Sequence, residues 1–126
     1  MPGAVPKPKV LVLARESLIA ALLGMLLELE NFEPVFAQPG ERPEDALARL
    51  RPPLAVVLDG DLEVARSDLF FARAARAQAV IVLFSVPRSP FDAEAHARER
   101  GVRWFAIPCD RATLVRALEQ AIGVQS

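Results

Sequence analysis

The sequence predicts an α/β fold: one doubly wound parallel sheet of five strands, in the order 2-1-3-4-5, sandwiched in three layers between helices. Three observations predict it. Short apolar runs recur at 10–13, 54–59 and 80–84, with a last strand read at 102–107, each separated from the next by residues with helical spacing or helix caps. These runs are continuous rather than alternating, as in strands buried on both faces, and that pattern belongs to parallel sheets covered by helices. The remaining strand, 33–37, contains Pro34, which has no N–H to give a ladder and so marks a sheet edge.

Residues 1–8 contain Pro2, Gly3, Pro6 and Pro8 and are expected to form a flexible arm. After the first strand, an amphipathic helix is expected over 17–30, with Leu18, Leu22, Leu26 and Leu29 inward and Ile19 and Met25 widening that stripe. Gly24 within it suits a close approach, and Asn31 suits a left-handed C-terminal cap. Pro43 starts a short helix through Leu50, with Ala46, Leu47 and Leu50 facing the core. Pro52, Pro53 and Gly60 bound the central strand, which ends in Asp59. Ser67 caps a third helix carrying Leu69, Phe70, Phe71, Ala74 and Ala75. Ser89-Pro90-Phe91-Asp92 has the character of a helix start. Residues 91–97 alternate with a strand-like period, yet the caps and the alanine content argue helix up to Gly101. Asp110 caps the last helix, with Leu114, Leu118, Ala121 and Ile122 inward and Gly123 closing it. The arrangement is flavodoxin-like, and in such sheets ligands bind outside the carboxyl ends of the strands, where Asp59 lies.

Composition narrows the function. The 126 residues are expected to form a single domain, 52% hydrophobic and 25% charged, an ordinary balance for a globular chain. A formal net charge of -1 offers no basic stripe for direct binding to nucleic acid. A single cysteine, Cys109, excludes an internal disulfide and suits the cytoplasm. No apolar run is long enough to span a bilayer, so no membrane role is expected. There is no G-x-G-x-x-G or P-loop, which counts against a small-ligand module of the same fold. His96 has no second histidine to work with and is read as an exposed residue of an alanine-rich helix.

From 9 to 123 the chain resembles the CheY-like receiver domain of bacterial two-component response regulators. The resemblance rests on the first strand with Asn31-Phe32-Glu33 after its helix, on V-V-L-D at 56–59, and on F-A-I-P-C-D at 105–110. It implies a signalling domain, not an enzyme, that accepts a phosphoryl group from a histidine kinase on the aspartate matching Asp59. In that family an acidic pair after the first strand holds Mg²⁺, while a hydroxyl ending the fourth strand and a lysine before proline in the fifth contact the phosphoryl oxygens. Such groups are needed because phosphoryl transfer is catalysed by positioning and by neutralising the equatorial oxygens.

Most of those groups do not carry over. The acidic pair falls on Ala14 and Arg15, so one ligand is lost and the other has reversed charge; Mg²⁺ wants hard oxygens in octahedral array. Glu16 is one place along and is read as serving the helix dipole. The hydroxyl falls on Phe84, or with a one-residue shift on Ser85, and the lysine falls on Ile107. Pro108 is kept, and the resemblance implies a cis Ile107-Pro108 bond. The expected pocket therefore has no metal or other cofactor, with Mg²⁺ only if the family site survives. It has the Arg15 side chain paired to Asp59, and Asp61 as a turn residue. The leading reading is a degenerate receiver, a pseudo-receiver that binds protein without phosphorylation. The alternative is an authentic phosphoacceptor working through Asp59.

The implied partners are a histidine kinase or another signalling protein, or a second copy. The receiver resemblance puts the contact on the face of the fourth helix, fifth strand and fifth helix, with Trp104, Arg98, Arg103, Arg111 and Arg116; aromatics and arginines are enriched at interface centres. Leu69, Phe70 and Phe71 cannot all face the core at about 100° per residue, so one of the two phenylalanines is expected to be partly exposed and Phe70 is carried as a second contact.

Overall fold

Every residue of the central strand β3 (Ala55–Asp59) is buried, and the remaining layers are laid against it. The computed structural model describes residues 7–50, 53–87 and 92–122. The expectations for residues 1–6, Pro52, Ser89, Pro90, Phe91 and Gly123 lie outside these. Pro8, expected in the loose arm, is held: its carbonyl accepts from the Glu33 amide at 2.8 Å.

Four further strands complete the sheet: β1 (Lys9–Leu13), β2 (Glu33–Phe36), β4 (Val80–Ser85) and β5 (Arg103–Ala106). All pairings are parallel, in the order β2-β1-β3-β4-β5, so Pro34 does lie on an edge strand. Alternate residues of each inner strand face opposite sides. Leu11, Leu13, Val56, Leu58, Ile81 and Leu83 build one core with helices α2 (Pro43–Leu50), α3 (Asp68–Arg76) and α4 (Ala93–Arg100). Val10, Val12, Val57, Val82 and Phe84 build the other with α1 (Ser17–Leu29) and α5 (Arg111–Ile122).

The caps follow the sequence. Ser67 Oγ accepts from the Phe70 amide at 3.1 Å, Asp92 Oδ1 from Ala95 at 3.0 Å, and Asp110 Oδ1 from Thr113 at 2.8 Å. Asn31 and Gly101, at φ 67° and 71°, turn the chain out of α1 and α4. The strand-like alternation at 93–97 therefore loses to a capped helix, as local hydrogen bonding and alanine propensity require.

Helix α1 departs from expectation. Its buried residues are Leu23, Gly24 and Leu27, whereas Leu18, Leu22, Met25 and Leu29 are 79%, 37%, 55% and 57% exposed. A helix apolar on nearly every side offers two competing stripes, and periodicity cannot choose between them. The inward stripe is the one flanked by the small residues Ala20 and Gly24, which let the helix approach the sheet. A Cβ on Gly24 would stand 2.9 Å from Phe36 Cζ. In α3, Phe70 is fully buried and Phe71 is the half-buried ring, crossed edge-on by Phe70 at 6.5 Å and covered by the Arg100 guanidinium at 4.5 Å. Phe70 is therefore core, not a surface contact.

Candidate functional site

Asp59 ends β3 between the carboxyl ends of β1 and β4, with β5 paired on the far side of β4. Asp59 is 1% exposed, the one buried charged residue among those described. Both its oxygens are occupied by backbone: Oδ2 accepts from the Arg15 amide and Oδ1 from the Asp61 amide, each at 2.9 Å. A buried carboxylate requires such donors, because an unpaired one costs several kcal/mol, on the order of the desolvation penalty of the ion.

The expected side-chain pair does not form. Arg15 is exposed, and among the described residues no ion pair joins its guanidinium to Asp59; the amide reaches the carboxylate instead. The short turn after β1 points the peptide N–H inward and sends the long side chain to water, where a guanidinium is better solvated. Ala14 is half-buried and brings no side-chain donor. Glu16 takes the N-cap position of α1 through its backbone, and no hydrogen bond of its side chain caps the helix. Asp61 is half-buried.

On β4 the two alternatives separate. Phe84 lies opposite Asp59 in the register, but its ring is fully buried and stacked on Phe105 at 5.7 Å. Ser85, one residue further and half-buried, carries the hydroxyl at the strand end. The ladder continues past it, the Ile107 amide donating to the Ser85 carbonyl at 2.9 Å. Ile107 is 9% exposed and its bond to Pro108 is cis, as the resemblance implies. Cys109 is half-buried, and burial, with Asp110 beside it, pushes its thiol above the usual range.

Of the surface residues, Arg98, Arg103 and Trp104 line one shallow depression of about 340 Å³ with Glu94, Ala117 and Gln120. Arg98 is ion-paired to Glu94. Arg116 is exposed on α5, one helical turn from Gln120. Arg111 belongs elsewhere: it pairs with Glu30 at 3.0 Å, across the gap between α5 and the end of α1. His96 is half-buried, its Nε2 2.6 Å from the Ala65 carbonyl, and so joins α4 to the short 3₁₀ turn Glu63–Arg66. No local signal marks that contact, since the two residues are far apart in sequence.

A sheet of this order, ending in a carboxylate on its third strand, defines a doubly wound α/β domain with its site at the strand ends. More particularly, the chain has the CheY-like fold of response-regulator receiver domains. It is similar to the signal receiver domain of a modulated diguanylate cyclase from Desulfovibrio desulfuricans G20, at 26% identity over 94% of this chain and 96% of that one, with a TM-score of 0.71. A response regulator receiver protein from Burkholderia phymatum is similar at 18% identity, 93% and 96% coverage, and TM-score 0.75. An orphan response regulator of H. pylori is similar at 21% identity, 94% and 99% coverage, and TM-score 0.68. No protein-family model and no curated protein matches the chain. Among the described residues no helix is long and apolar enough to cross a membrane.

Proposed function

We propose that this chain is a receiver-type signalling module whose Asp59 has become a structural residue, and that it acts in the cytoplasm by binding protein without phosphoryl transfer. The observation that carries the reading is the pair of backbone amides on the Asp59 oxygens, which leaves a 1% exposed carboxylate little freedom to attack a phosphodonor. Among the described residues, the positions that match the family's charged groups add no charge-neutralising side chain: Ala14 and Ile107 are apolar, and Arg15 is exposed. Phosphoryl transfer depends on such groups. The donor set does not suit Mg²⁺ either, because a hard cation needs several oxygens and among the described residues no group of three or more acidic, histidine or cysteine side chains could hold a metal ion. The chain is therefore read as a binding protein rather than an enzyme, its partner a histidine kinase or another signalling protein held on the surface of Trp104, Arg98, Arg103 and Arg116.

A second reading, an authentic phosphoacceptor, draws support from Ser85, whose hydroxyl ends β4 beside the Asp59 register, and from the retained cis Ile107-Pro108 bond. Incubation with acetyl phosphate and Mg²⁺, followed by intact mass, separates the two. The unmodified mass is expected. A phosphoryl adduct that disappears in Asp59→Asn would establish the second reading.

A further inference from the structure

We propose that the outer face of α1 is a helix-pairing surface whose occupant is a second copy of this chain, packed antiparallel about a two-fold axis. The proposal deepens the protein-binding reading, yet it stands whether or not Asp59 accepts phosphate.

Between Ser17 and Leu29 only Ser17 and Glu28 are polar. A helix that is apolar on all sides is ordinarily buried on all sides. Here the sheet covers one side, through Leu23 and Leu27, and leaves the other in water. The uncovered residues are Leu18, Leu22, Met25 and Leu29, spaced four, three and four apart. At about 100° per residue they form one narrow stripe, directly opposite the buried one. Spacing of this kind is the seam of a coiled coil, so the occupant it fits is another helix.

The seam also matches itself. Its spacing reads the same in both directions, so a two-fold axis at its midpoint sets Leu18 against Leu29 and Leu22 against Met25 of the other copy. That is the condition an isologous interface must meet. The helix dipoles choose the direction, because antiparallel packing opposes them whereas parallel packing would lay like ends together. Phe36, 41% exposed on edge strand β2 and lying against Gly24, widens the apolar surface.

A lipid surface fits less well, because helices that lie in membranes carry lysine and arginine on a polar face. No such residue occurs between 17 and 29. The resemblance placed self-association at Trp104, but that face offers one aromatic, 38% exposed, among charges, whereas α1 offers four aliphatic side chains in register.

The test is molar mass in solution over a dilution series to high micromolar, with no phosphodonor present. The wild type is expected to be dimeric at the upper end. Met25→Glu and Leu18→Glu, both at exposed positions that leave the core intact, are expected to weaken dimerisation at least tenfold with the far-UV spectrum unchanged. Trp104→Ala is expected to dimerise as the wild type does. In a Cys109→Ser background, Leu18→Cys mixed with Leu29→Cys should oxidise to a mixed disulfide. Leu18→Cys alone should not, because antiparallel packing sets the two positions about 16 Å apart. A wild type that stays monomeric overturns the proposal, including one that sediments with phosphatidylglycerol vesicles. So does a dimer lost in Trp104→Ala and kept in Met25→Glu, and cross-linking of Leu18→Cys alone overturns the antiparallel arrangement. None of these outcomes touches the reading of Asp59, which is decided by the phosphoryl adduct.

Discussion

The carboxyl end of the sheet and the outer face of α1 are opposites. At the strand ends a charged group is buried and partnered, each of its oxygens held by an amide of its own chain. On α1 an apolar stripe is exposed and unsatisfied. In a receiver fold the first place is where chemistry is expected and the second is a helix that would normally be amphipathic. The difference teaches where binding energy is available: a satisfied carboxylate has little left to gain from a ligand, whereas an exposed leucine seam gains from any surface that removes it from water.

Substitutions sharpen the contrast, beginning with the largest effect. Phe70→Ala should cost about 3–5 kcal/mol in denaturant unfolding, because the ring is wholly inside the core formed with α3. A loss below about 1 kcal/mol would mean that Phe70 is a surface residue after all. Asp59→Ala strands two amide donors, at Arg15 and Asp61, and should cost about 2 kcal/mol, with Asp59→Asn costing roughly half because one acceptor survives. If Asp59→Ala were instead neutral or stabilising, the carboxylate would be held for a function and not for the fold.

On the other side of the comparison, Leu18→Glu should leave the stability of the monomer within about 0.5 kcal/mol, since the side chain is 79% exposed and an acid suits the first helical turn. The smallest effect is on acid stability. The Thr113 amide holds the Asp110 carboxyl below its ordinary value of 3.8. A depressed folded-state value gives stability that is present above the ordinary value and lost as pH falls through the depressed one. Asp110→Asn should therefore flatten the pH dependence of unfolding below about pH 4, while keeping the cap at neutral pH.

Much of this was legible in the residues. Continuous aliphatic runs located the buried strands, Pro34 placed the edge, and Ser67, Asp92 and Asp110 marked helix starts that the structure keeps. The burial of α1 was not legible, because Leu18, Leu22 and Leu29 and the pair Leu23 and Leu27 are equally apolar; only the small Ala20 and Gly24 hinted which side could approach the sheet. Phe70 and Phe71 are likewise identical in chemistry, and the sheet alone decides between them. At the site, Arg15 does lie beside Asp59, but through its amide and not through its guanidinium. Backbone donors carry no residue signature, so the amides of Arg15 and Asp61 were invisible in the sequence. The contact of His96 with Ala65 was hidden for a related reason, its acceptor being a carbonyl.

Those two amides hold Asp59 closed to a ligand. The most direct measurement is an amide-resolved NMR titration with Mg²⁺, following Arg15 and Asp61. With Asp59 closed, neither resonance is expected to move beyond the uniform drift caused by ionic strength. A saturable shift at both, absent in Asp59→Asn, would contradict it.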